Sequence, residues 1–182
     1  MTIFVVESVR EDQSRKLFSL FGAEYRATRY AWLNPLLMAG VGIAVAYIWS
    51  PVNVQSGLVV TGIIFGLLMM LAIFCHGLGH MISSRIVQAP VSYVLVTATV
   101  NVTHYDDVIE QSSRVHIGRS LGGPVANLLL GAVCGVLYMT ASPSPFLLFF
   151  SVVCILMGLM TLLPIPTLDG AVIWHNLGDR HA

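Results

Sequence analysis

Charge is what this 182-residue chain has least of: 10% of its residues are charged and 56% are hydrophobic, with a mean hydropathy of +0.81. Soluble domains carry about 25% charged residues, so the composition excludes an ordinary water-soluble globule and indicates an integral membrane protein. Cysteine is scarce too. Cys75, Cys134 and Cys154 all fall in hydrophobic segments, which excludes an extracellular disulfide framework and leaves small packing residues. A cleavable signal peptide is not expected, because charges begin at Glu7 after only a short apolar start. The length suits one helical bundle and leaves no room for a sizeable soluble domain beside it.

Four stretches can cross a hydrocarbon core of about 30 Å: Ala31 to Trp49, Leu58 to Ser83, Ile117 to Thr140, and Pro145 to Leu163. All nine Lys and Arg residues fall in the amino-terminal segment, in the central polar stretch or in the tail. The positive-inside rule then predicts a multi-pass protein with both termini in the cytoplasm, and short external turns at Ser50 to Gly57 and Ala141 to Ser144. Residues 1–30 form a basic amino-terminal segment, and 31–182 the membrane-embedded domain. Between about Glu11 and Tyr30, Leu17, Phe18, Leu20, Phe21 and Tyr25 stand among basic residues, the pattern of an amphipathic helix on the inner surface. From Val94 to Thr103 the period is two and β-branched residues dominate, predicting a cytoplasmic strand or hairpin between spans two and three. The fold class is therefore an all-α membrane protein of four transmembrane helices with that one β element. Asn101-Val102-Thr103 matches a glycosylation acceptor, a coincidence on the cytoplasmic side.

Polar groups inside such segments are costly and mark function. His76-Gly77-Leu78-Gly79-His80 places two imidazoles four residues apart, on one helix face, where both can reach a single zinc ion. Such a pair recurs by chance, and its context gives it weight. Asp169 follows Pro164 and Pro166, which break the fourth span and can turn a carboxylate inward. It is the natural third ligand. What is lacking is the glutamate that HExxH peptidases carry after the first histidine, since Gly77 stands there.

Taken with Gly123-Pro124-Val125-Ala126-Asn127 and Leu168-Asp169-Gly170, the histidine motif resembles the site-2 proteases, intramembrane zinc metalloproteases with HExxH, Gly-Pro-x-x-Asn and Leu-Asp-Gly elements in this order. The resemblance covers roughly Leu58 to Gly170. It implies that His76, His80 and Asp169 bind Zn2+, that Asn127 holds substrate or the developing oxyanion, and that the strand near Val94 to Thr103, through Val96, Ala98 and Val100, pairs with an unwound substrate segment. Thr161 stands where the family commonly has Asn, at a secondary substrate contact. In that chemistry the glutamate shuttles a proton from the attacking water to the leaving amine, worth about 10² to 10⁴ in rate.

Gly77 is thus the position of a missing base, and three readings follow. The chain is a site-2-protease-type scaffold that is inactive or severely impaired, either a natural pseudoprotease or a base-replaced variant. Otherwise it is an active metalloendopeptidase with a substitute base, for which Glu110, Asp106, Asp107, His104 and His116 are the candidates, or a membrane metal carrier. The expected partners are a transmembrane substrate or client and the lipid bilayer, with no nucleic acid. Oligomeric state is open.

Overall fold

The computed structural model describes residues 14–49, 57–107, 111–141 and 143–178. Among them are five helices and one four-stranded sheet. The helices are α1 (Leu33–Trp49), α2 (Leu58–Ile86), α3 (Ser113–Thr140), α4 (Pro145–Thr161) and α5 (Asp169–Gly178). The strands are β1 (Arg15–Leu20), β2 (Ala23–Ala27), β3 (Tyr93–Val96) and β4 (Asn101–His104), in that spatial order.

The four expected spans coincide with α1 to α4, but their lengths differ. At 1.5 Å per residue, the 29 residues of α2 and 28 of α3 are long and apolar enough to cross a bilayer. The 17 residues of α1 and of α4 reach only about 25 Å, a little short of the hydrocarbon core. The helices bury small and polar groups and turn large apolar ones outward: Ile48, Val60, Leu67, Ile86, Leu129 and Met139 are all exposed, whereas Asn127 and Ser84 are fully buried. Inside, Phe65 stacks on Phe149 with ring centroids 3.8 Å apart, joining α2 to α4. Ala72, Cys134, Phe150 and Cys154 tie α2, α3 and α4 together.

The contact between α2 and α3 positions everything else. A Cβ at Gly79 would collide with the backbone of Gly122, and one at Gly122 would collide with Gly79 and Ser83. Small residues on both sides let the two backbones touch, the packing that membrane helices favour.

The amino-terminal segment departs from expectation. Arg15 to Ala27 is an antiparallel hairpin, not an amphipathic helix. Its turn is Phe21-Gly22, with φ of 47° and 75°, the left-handed pair that tight hairpins require. The hairpin then pairs in parallel with β3, Ala27 opposite Val96, so tertiary pairing overrides the helical spacing of its apolar residues. The β content is accordingly a sheet, not one element. Val94 to Thr103 is not a continuous strand either, because the chain turns at Thr97 to Val100, where Thr97 Oγ1 donates to the Val100 carbonyl at 2.6 Å, and returns as β4. The sheet packs on α2 through Ala23, Tyr25, Val91 and Val94 against Met81, with Phe74 and Leu78 at the margin.

Candidate metal centre

Helix α2 carries His76 and His80 one turn apart, with their Nε2 atoms 3.0 Å from each other. Asp169 meets both from the start of α5: Oδ2 lies 3.1 Å from His76 Nε2 and Oδ1 3.3 Å from His80 Nε2. The delivery of that carboxylate is built into the break after α4. Pro164 and Pro166 stop the helix, Thr167 adopts φ 82°, unusual for a branched residue, and Gly170 lies so close to Leu162 and Leu163 that any Cβ would collide. Trp174 Nε1 donates to the Leu162 carbonyl at 3.1 Å and fastens α5 back onto the end of α4.

The donor set fits zinc. Bonds of about 2.0 to 2.1 Å in a tetrahedral shell put ligand atoms about 3.3 Å apart; the two Nε2 atoms lie 3.0 Å from each other, Asp169 meets them through different oxygens at 3.1 and 3.3 Å, and one ligand atom from each residue can be chosen so that all lie within 4.8 Å of one another. His80 Nδ1 donates to the Arg119 carbonyl at 2.8 Å, which fixes the tautomer and turns the Nε2 lone pair toward the other two ligands. Three protein ligands leave a fourth position open, as in catalytic sites. Among the described residues these three form the one His, Cys, Asp or Glu group close enough to hold a metal ion.

Arg119 is the support that sequence reasoning missed. Its side chain is almost fully buried, yet it forms a bidentate pair with Asp107 at 2.6 and 2.7 Å, and its guanidinium lies 4.2 Å from the Tyr105 ring centroid. The Arg119 guanidinium holds the Asp107 carboxyl below its ordinary range. Burial pushes the Tyr105 phenol up to about 12. Ser83 Oγ sits 3.1 Å from the carbonyls of both His80 and Arg119. The loop after β4, the start of α3 and the second histidine are thus one hydrogen-bonded unit. The available signal was a fully ionised side chain at the mouth of a hydrophobic segment.

Two glycines close to the histidines, one in space and one in sequence, have different surroundings. A Cβ at Gly123 would strike Nε2 of both His76 and His80. A Cβ at Gly77 would lie 3.7 Å from the Tyr25 hydroxyl and, beyond its own helix backbone and chain neighbours, meet nothing else within 4 Å. Tyr25 itself is buried, and among the described residues its hydroxyl has the Met81 thioether, 3.6 Å away, as partner.

Of the other expected site residues, Asn127 lies one turn beyond Gly123 on the same face of α3, fully buried, with neither side-chain amide atom hydrogen-bonded to a described residue. Val96 lies on β3, whose two edges are taken by β2 and β4, and Ala98 and Val100 lie in the turn. Thr161 spends its hydroxyl on the carbonyls of Met157 and Gly158 in its own helix. Of the substitute bases, Asp107 is held by Arg119, Asp106 pairs with His104 at 3.4 Å, and Glu110 lies outside the described residues. Cys75, Cys134 and Cys154 are free thiols.

No family model matches the chain, and no curated protein matches its sequence. Among solved structures it is similar to the site-2 protease from Methanocaldococcus jannaschii, with a TM-score of 0.64 over 92% of this chain and 72% of that one, at 16% sequence identity. The fold is that of a site-2 protease.

Proposed function

We propose that this chain is a multi-pass, membrane-embedded site-2-protease-type scaffold that holds zinc through His76, His80 and Asp169, binds a transmembrane or membrane-proximal segment, and is proteolytically inactive or severely impaired because Gly77 stands in place of the base. The observation that carries the reading is the convergence of one ligand atom from each of His76, His80 and Asp169 to within 4.8 Å of one another, within a fold shared with a site-2 protease. The outward apolar faces of the helices support a lipid environment.

When bound, the cation would act as a Lewis acid toward a peptide carbonyl and a water. The chain supplies the rest. His80 is oriented through Arg119, Asn127 offers an unpaired amide beside the site for a substrate carbonyl, and β4 is a sheet edge to which an extended segment can add. The group that could hold the ion contains no carboxylate besides Asp169, and Gly77 brings none, so a proton acceptor for water is wanting. A metal carrier would need a polar path through the bundle, whereas Asn34 and Ser151 are occupied by the carbonyls of Ala98 and Gly131.

Protein purified without chelator should contain about one zinc per chain, and His80→Ala or Asp169→Ala should lose most of it; full retention in either variant rejects the centre. For topology, single cysteines at Ser144 and Asp106 should label from opposite sides of the membrane, Asp106 from the cytoplasm. Labelling of both from one side would overturn the four-span reading.

A further inference from the structure

Among the described residues the sheet ends in two unpaired strands of opposite character. β4 leads into Asp106 and Asp107, whereas β1 carries Arg15 and Lys16 and exposes Leu17 and Phe18, which are 55% and 46% accessible. The hairpin that bears β1 is tied to two helix ends. A Cβ at Gly42 would strike Gly62 and Gly66, and one at Gly66 would strike Met38, so α1 and α2 run antiparallel and the start of α1 shares one face of the bundle with the end of α2. At the base of the hairpin, residues 28–32 alone separate β2 from α1. Tyr30 and Trp32 there are exposed, as aromatic residues are at a membrane–water interface. At its tip, Arg85 in the last turn of α2 donates to the Phe21 carbonyl, and its guanidinium lies 5.9 Å from the Phe21 ring centroid. Phe21 is exposed, and so are Ile82 and Ile86 on either side of Arg85. The cations are not all matched within the chain. Glu24 is shared by Lys16 and Arg26, at 2.6 and 2.8 Å, while Arg15 and Arg85 have no carboxylate partner among the described residues.

We propose that the hairpin Arg15 to Ala27 is an interfacial anchor that lies in the headgroup layer and selects anionic lipid, with Leu17, Phe18 and Phe21 at the acyl boundary and Arg15 and Arg85 against lipid phosphate. This rests on the membrane-spanning reading above and adds to it a lipid preference and a place for the amino-terminal segment. A hairpin held at base and tip by helix ends on one membrane face cannot move off into bulk water. Its exposed apolar side chains are therefore covered by lipid, and apolar residues flanked by cations are the composition of segments that bind a membrane surface. The charge decides which lipid. A zwitterionic headgroup offsets its phosphate with an ammonium, whereas an anionic one leaves a net negative charge for unmatched arginines. The same surface repels Asp106 and Asp107, so the sheet approaches lipid by β1 and leaves β4 clear for an added segment.

The test uses the full chain in nanodiscs of phosphatidylcholine containing about one part in ten of anionic phosphatidylglycerol. The photoreactive residue p-benzoylphenylalanine replaces Leu17, or Leu67 on the exposed face of α2 as the reference. After illumination, the mass of each adduct identifies what lay against that position. Lipid adducts are expected at both. The ratio of phosphatidylglycerol to phosphatidylcholine at Leu17 should exceed that at Leu67 by about fivefold for each cation engaged. Arg15→Gln, an exposed position where no packing is lost, should lower that excess by about fivefold, and salt at about 1 M, where screening acts within ~3 Å, should abolish it. No lipid at Leu67 would reject the membrane-spanning reading itself. Lipid at Leu67 with none at Leu17, or a chain-to-chain adduct at Leu17, would reject the anchor and leave the spans standing. Equal ratios at the two positions, or an excess that survives both high salt and Arg15→Gln, would reject the selection of anionic lipid and the proposal with it.

Discussion

Gly123 on α3 and Gly77 on α2 are the same residue for different reasons. On α3, a methyl group at Gly123 would displace both histidine rings, so bare backbone is a condition of the ligand geometry. On α2, Gly77 faces open space and a tyrosine hydroxyl, and nothing in the described packing demands glycine there. A side chain at Gly123 would thus crowd the two histidine rings, whereas one at Gly77 would meet the Tyr25 hydroxyl beyond its own helix. On the proposed reading, the missing glutamate is a chemical change without a structural cause, and the scaffold around it is intact.

The sharpest way to break this comparison is Gly77→Glu. Cleavage of a docked substrate should appear or rise by about 10² to 10⁴, while thermal stability in detergent changes by less than about 1 kcal/mol, helped by the better helix propensity of Glu over Gly. A folded, zinc-bound variant that cleaves no faster would show that the chain lacks more than a carboxylate. Next comes Gly123→Ala. One methyl group should cost roughly 1 to 3 kcal/mol of overpacking, weakening zinc binding by about 5- to 150-fold as read by competition with a chromogenic chelator. Unchanged affinity would mean that α3 yields and that the two glycines are equivalent after all.

The smallest effect belongs to the support behind His80. Asp107→Asn should lower stability by about 1 to 3 kcal/mol, because Arg119 stays buried with a neutral partner, and should weaken zinc binding by a few-fold through the Arg119 carbonyl. The sign with pH is fixed. Asp107 has its carboxyl depressed in the folded state, so its contribution is fully present above the unfolded value near 4 and is lost as pH falls through the folded value. Unfolding curves of parent and variant should converge on acidification, and parallel curves would exclude the pair as the cause.

Much of this was legible in the sequence, for definable reasons. His76, His80 and Asp169 are readable because ionisable groups are rare in apolar segments, so each one there is informative. The helices α1 to α4 follow from long hydrophobic runs, and their bounds differ from expectation mainly at the ends, where Pro and polar residues compete. The hairpin Arg15 to Ala27 was not legible, since Leu17, Phe18, Phe21 and Tyr25 satisfy a helical stripe equally well and the strand that decides the matter, Tyr93 to Val96, lies far along the chain. Tyr25 was missed with it. The role of Arg119 rests on its backbone carbonyl as much as on its guanidinium, and no side-chain pattern announces a carbonyl.

The turn from Leu162 to Gly170 also has a consequence in time. The two histidines are made on α2, but the carboxylate that completes their shell arrives only when the ribosome has passed Asp169 and α5 has folded back, fastened by Trp174. Until then a nascent chain offers two nitrogen ligands and holds an ion weakly. On the proposed reading, metal loading is therefore a late step of biogenesis, following insertion of the helices, and the ion's arrival reports that the bundle has closed.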